Sequence, residues 1–141
     1  MTDINKFTPY RAGMHSIFTS EENRCVHVGL NVNKNNVRQY QVDGGVYKKD
    51  TTPTRCDYLL INDDKRDSYY IELKGSDIEK AIQQVDVTVE DICPSLGGYQ
   101  IYRRIIYHTK SHSVNGSKAL SWKKKHKGFA VIKQGRCEER M

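Results

Sequence analysis

Residues 57–74, DYLLINDDKRDSYYIELK, decide how this chain is read. Two runs rich in aromatic and branched apolar residues, 58–61 and 68–73, flank the polar segment 62–67, whose Asn and Asp residues favour a turn. The pattern predicts a two-stranded antiparallel hairpin. A turn centred on Asp64 and Lys65 sets Asp57 directly opposite Glu72. Side chains alternate between faces along a strand, so Glu72 and Lys74 share one face while Ile71 and Leu73 share the other. Two carboxylates and an ammonium are therefore expected to meet at one end of the ribbon. Carboxylates held together repel unless a cation joins them, which points to a divalent-metal site with Lys74 beside it. The competing expectation is a surface ion pair on an edge strand, which contributes only about 0–1 kcal/mol.

Beyond Lys74 the period changes. Gly75 breaks the strand, and Ser76-Asp77-Ile78-Glu79 fits a capping box at a helix start. Ile78, Ala81, Ile82, Val85, Val89 and Ile92 recur at helical spacing and form one apolar stripe, which Pro94 and Gly97-Gly98 terminate. Its β-branched residues are indifferent helix formers, so packing against a sheet has to hold it. Upstream, Val26, Val28, Leu30 and Val32 alternate with His27, Gly29 and Asn31 as the apolar face of a strand. Residues 37–42 predict a second strand, 43–45 a tight turn, and 46–48 a short further strand. Ser20-Glu21-Glu22 reads as a helix start, but no helical periodicity follows it. Downstream, 99–108 read as a strand, 110–127 as a long basic loop or partly helical arm, 129–133 as a final strand, and the tail RCEERM as exposed. The fold class is α+β: a mixed central sheet with a β-meander, one main helix after the hairpin and further C-terminal strands, in a single domain over 1–141.

The chain has 141 residues, enough to bury a core. No apolar run approaches the ~18 residues of a membrane helix, and the N-terminal MTDINKFTPYR lacks the apolar stretch of a secretory signal. Cys25, Cys56, Cys93 and Cys137 are widely spaced with no C-x-x-C pair, so reduced thiols and a cytoplasmic location are expected, with no membrane association. His15, His27, His108, His112 and His126 show no ligand spacing with those cysteines and read as structural. A net charge of +6 suits a polyanionic partner. Arg103 and Arg104 form one basic pair; Lys123, Lys124, Lys125 and Lys127 cluster around His126, next to Trp122. The lysines read either as a phosphate-contacting arm or as a solvated loop.

Asp57, the Glu72-Leu73-Lys74 triplet and the capped helix behind them resemble the core of the PD-(D/E)XK nuclease superfamily, which includes restriction endonucleases and Holliday-junction resolvases. The resembling segment spans about residues 55–85. The resemblance implies a restriction-endonuclease-like fold, Mg²⁺ or Mn²⁺ as cofactor, and hydrolysis of phosphodiester bonds in nucleic acid, most of all DNA. It implies Asp57, Glu72 and the carbonyl of Leu73 as metal ligands, with Lys74 orienting water or stabilising the pentacoordinate phosphate. Gln84, on the following helix, matches a Gln often found near such sites, with Gln83 as a second candidate. Cys56 stands where the family usually has Pro. The family core also begins with a helix bearing a further Glu; here Glu22 is the nearest match, and Asp43 is the other candidate acid. Arg103, Arg104 and the lysines at 123–127 are expected to hold the nucleic-acid backbone. So small a chain is expected to act as a homodimer or with a partner protein. The alternative is a nuclease-fold protein without cleavage, serving as a nucleic-acid-binding or protein-interaction module.

Overall fold

Among the residues described, 1–109 and 112–141, the computed structural model runs through β1 (Arg11–Gly13), β2 (Ile17–Glu22), β3 (Cys25–Leu30), β4 (Val37–Gln41), β5 (Tyr58–Asn62) and β6 (Asp67–Lys74). It continues through α1 (Ile78–Ile92), β7 (Gln100–Tyr107), α2 (Ser117–His126), β8 (Ala130–Gln134) and β9 (Arg136–Arg140). Six strands form one sheet in the order β1-β4-β5-β6-β7-β8, and β2-β3-β9 form a second. The expected hairpin is present: β5 and β6 are antiparallel, with Tyr58 against Ile71 and Asn62 against Asp67. From β6 onward the sheet turns parallel, because α1 carries the chain back before β7 begins. The molecule is thus a mixed α+β fold.

Three layers result. Leu59, Ile61, Tyr70 and Ile105 on one face of the large sheet pack against Ile78, Ala81, Val85, Val89 and Ile92 of α1. On the opposite face Leu60, Tyr69, Ile71, Leu73 and Ile106 meet Phe18, Cys25, Cys137 and Met141 of the small sheet. The α1 stripe is the predicted one, but its cap is one residue later. Asp77, not Ser76, occupies the N-cap position, and its carboxylate accepts from the Lys80 amide at 3.1 Å.

Several expectations need correction. No helix forms around Ser20–Glu22; that segment ends β2 and turns through Asn23 and Arg24 into β3. Residues 46–48 make only an isolated bridge between Tyr47 and Asp43. In β3 the face carrying Cys25, His27 and Gly29 turns toward the large sheet, because Tyr69 and Leu60 cover it. The tail is not free. It forms β9, parallel to β3, with Cys137 and Met141 buried. The basic arm is helical over Ser117–His126, anchored by buried Ala119 and Trp122; residues 110 and 111 of that arm, and the His112 side chain, lie outside the described set. Lys123, Lys124, Lys125 and His126 fill the last turn of α2, where positive charge complements the helix dipole.

Candidate metal and phosphodiester site

The open end of the β5–β6 ribbon builds the site. Pairing between the two strands stops at Tyr58–Ile71, while β6 runs on to Lys74, so the Leu73 amide and carbonyl lose their β5 partners. Two side chains replace them. Asp57 Oδ2 accepts from the Leu73 amide at 2.8 Å, and Asn23 Nδ2 donates to the Leu73 carbonyl at 2.8 Å. The Asp57 amide in turn donates to the Ile71 carbonyl at 3.1 Å, which fixes Asp57 across from Glu72.

Asp57 and Glu72 lie on the α1 side of the sheet with the register the hairpin predicts, and both are buried, at 8% and 2% exposure. Lys74 Nζ stands 3.8 Å from Glu72 Oε2 and donates to Gln84 Oε1 at 2.9 Å. Gln84 Nε2 donates onward to the Arg55 carbonyl at 3.3 Å. One turn later on α1, Thr88 Oγ1 accepts from the Cys56 amide at 2.9 Å and donates to the Gln84 carbonyl at 2.7 Å. Gln84 and Thr88 therefore clamp the strand entry, residues 55–57, onto the helix. Four expected residues, Asp57, Glu72, Lys74 and Gln84, come together.

The electrostatics of the pair are unfavourable without a counter-charge. Burial, with smaller contributions from the charges of Glu22 and Asp43, raises the Asp57 carboxyl from 3.8 to about 7, against the lowering effect of the Leu73 amide. Burial and then the Asp57 charge push Glu72 well above the usual carboxylate range, only partly opposed by Lys74. The two carboxyls interact closely enough to share a proton. With both ionised, Glu72 Oε1 is buried and has no hydrogen-bond partner. An orphaned hard oxygen beside a second carboxylate fits a hard divalent cation.

Glu22 ends β2 rather than riding on a helix, and it is exposed. Glu22 and Asp43 both act on Asp57 through their charge. Neither closes to a compact ligand set: among the described residues, the one group of three His, Cys, Asp or Glu ligand atoms within 4.8 Å of one another is His27, Cys137 and Glu139. That cluster lies between the two sheets. Glu139 accepts from Arg104 Nε and Nη2, each at 2.9 Å, and contacts His27 Nε2 at 2.7 Å. Its carboxyl is held down at about 2 by these partners despite burial, while burial and the Glu139 charge push the Cys137 thiol up to about 11. The thiol is protonated and both oxygens of the Glu139 carboxylate already take donors from Arg104, so within this polar knot the carboxylate is satisfied, while His27 Nδ1 is buried with no hydrogen-bond partner.

Arg104 is corrected accordingly. Adjacent strand residues face opposite ways, so Arg103 and Arg104 are not one basic pair. Arg104 is 5% exposed, ion-paired with Glu139 and flanked by the Tyr69 and Tyr102 rings. Arg103 faces the helices and pairs with Asp86 at 3.2 Å. Trp122 Nε1 donates to the same Asp86 at 3.0 Å, and this buried ring anchors α2 against α1. Arg103 lies four residues along β7 from Tyr107, the partner of Lys74. Lys124, Lys125 and Lys127 are exposed and Lys123 is half-buried.

Asn23, Arg55 and Thr88 escaped the sequence reading. Asn23 carried one usable signal, a turn-forming residue between two β-rich runs; Arg55 acts through its carbonyl and the Thr88 hydroxyl binds the Cys56 amide, contacts that no pattern reveals. A groove of about 340 Å³ opens beside Gln84, between residues 52–54 and Lys80 and Gln83 of α1. No family model, curated protein or solved structure matches this chain.

Proposed function

We propose that this protein is a metal-dependent nuclease of the PD-(D/E)XK type, with a trimmed restriction-endonuclease-like core, that hydrolyses phosphodiester bonds in DNA. The observation that carries the reading is the buried Asp57–Glu72 pair with an unpartnered carboxylate oxygen and Lys74 held at its edge by Gln84. Asp57, Glu72 and the Leu73 carbonyl are the residues to hold Mg²⁺ or Mn²⁺. A bound divalent cation supplies the charge that an anionic phosphodiester needs beside two carboxylates and lowers the pKa of water.

The chain's own groups do the rest. Gln84 fixes the Lys74 ammonium, so the positive charge is in place before substrate arrives and no reorganisation accompanies reaction. Lys74 orients the attacking water or stabilises the charge that develops on the phosphate. Asp57 couples the ligand set to the sheet through the Leu73 amide. The groove beside Gln84 leaves room for the substrate strand, and the α2 lysines extend the positive surface away from it. One site per chain cuts one strand; cutting both calls for a homodimer or a partner protein.

A second reading is favoured by one observation. Asp57 and Asn23 satisfy the Leu73 peptide groups left without β5 partners, a structural service that needs no metal. On that reading the protein binds nucleic acid without cutting it. Incubating DNA with the protein in Mg²⁺, Mn²⁺ or EDTA separates the two. The nuclease reading expects cation-dependent cutting that Lys74→Ala abolishes while DNA retention persists. Wild-type cutting by that variant, or retention without cutting in either metal, defeats it.

A further inference from the structure

The turn between β2 and β3 has two residues, Asn23 and Arg24, with φ of 53° and 61°. Positive φ at both positions is a type I′ hairpin turn, whose second position is the preserve of Gly because a Cβ there crowds the backbone. An arginine in that place is strained. The turn is also stitched to the site. Asn23 Nδ2 holds the Leu73 carbonyl at 2.8 Å, and Cys25 Sγ donates to the Lys74 carbonyl at 3.5 Å. Arg24 is the residue between these two anchors. Its side chain is exposed and makes no ion pair or hydrogen bond with any described residue, although Glu22 lies two residues away in the same hairpin. A strained, unpaired guanidinium tethered to the backbone of the Glu72-Leu73-Lys74 strand is placed for an anion that comes from outside.

We propose that Arg24 binds a backbone phosphate of the DNA strand that enters the site, as a positioning residue for cleavage. The proposal deepens the nuclease reading and rests on it. Asn23 ties the turn that carries Arg24 to the Leu73 carbonyl. The planar fork of Arg suits a phosphate bidentately, a use that a Gly at this position could not serve.

The test is binding of a short labelled DNA duplex, with EDTA present so that no cutting intervenes, across a salt series. Arg24→Gly fits the φ of the turn, so its melting temperature is expected at or above that of wild type. Its affinity is expected to fall about five- to tenfold at 0.1 M salt, and its salt slope to flatten by about 0.9, the signature of one lost phosphate contact. Arg24→Lys is expected to keep most of the slope. An Arg24→Gly protein that binds with wild-type affinity and slope overturns the proposal, as does a wild type that binds no DNA. Cleavage is scored separately: an Arg24-dependent slope with no cutting in Mg²⁺ or Mn²⁺ sinks the nuclease reading and leaves the phosphate contact standing.

Discussion

Neutralising Asp57 is expected to stabilise the protein above neutral pH, the reverse of what removing a structural hydrogen bond does. The sign follows from the raised carboxyl. A group that holds its proton more tightly in the folded state favours folding at low pH, and that advantage is lost as pH rises from its unfolded value of 3.8 through about 7. Moving one carboxyl from 3.8 to about 7 corresponds to roughly 4 kcal/mol at full ionisation, and partial relaxation makes that an upper bound. Asn in place of Asp57 keeps an oxygen for the Leu73 amide and removes the charge. At pH 8 Asp57→Asn should therefore melt higher than wild type, by up to roughly 10 °C for a chain of this size. At pH 4 the difference should vanish. A divalent cation at a hundredfold excess over its Kd should raise wild-type stability at pH 8 by about 2.7 kcal/mol and leave Asp57→Asn unmoved. The assay is thermal melting from pH 4 to 8, with EDTA or with Mn²⁺. Parallel melting curves for the two proteins across that range, with no effect of Mn²⁺ on either, would refute both the charge argument and the cation site.

Lys74→Ala should cost about two to three orders of magnitude in cleavage rate, by analogy with removing one preorganised charge donor, and little in melting temperature. Between the sheets, Glu139→Gln strands the buried Arg104 and should destabilise by about 3–5 kcal/mol in denaturant titration, whereas Arg104→Met with Glu139→Leu should recover most of that loss. Because the Glu139 carboxyl is held at about 2, its stabilisation is complete above 4.5 and is lost as pH falls toward 2, a window separate from that of Asp57. Replacing Lys123, Lys124, Lys125 and Lys127 by Gln should weaken DNA binding and flatten its salt slope while leaving Mn²⁺ affinity in calorimetry unchanged; an unaltered slope would make that helix end merely solvated.

How much was legible depends on whether a residue's partner lies nearby in sequence. The β5–β6 register could be read because the polar segment 62–67 fixes the turn and alternation fixes the faces, so Asp57 and Glu72 followed together. α1 could be read because its stripe has one period, and Gln84 came with it. The β2–β3 turn was hidden because Asn23-Arg24 lacks the glycine that announces a type I′ turn, and so Glu22 was looked for on a helix. β9 was hidden because RCEER looks like a solvated tail; only its parallel pairing with distant β3 buries Cys137 and matches Glu139 to His27 and Arg104. The same long-range contact turned Arg104 from an expected surface cation into a core ion pair. The polar positions of β3 looked outward because alternation marks two faces but does not say that both are covered.

The polar knot between the sheets is an internal control for the site. Around the buried Glu139 this fold packs close partners: two nitrogens of the Arg104 guanidinium at 2.9 Å and His27 Nε2 at 2.7 Å. The result is a carboxyl held far below its ordinary range. At the end of the hairpin the same chain buries two carboxyls, places the charges of Glu22 and Asp43 near them, and supplies one ammonium at 3.8 Å that is itself tied to Gln84. Both carboxyls move upward rather than down. A pair serving only to cap the Leu73 peptide group would need one acid, and Asn in its place would do that without the repulsion. With both carboxyls ionised, Lys74 balances one of the two charges, and Glu72 Oε1 has no partner. On the proposed reading a divalent cation would supply the missing charge, and its preference for hard oxygen ligands suits the two carboxylates.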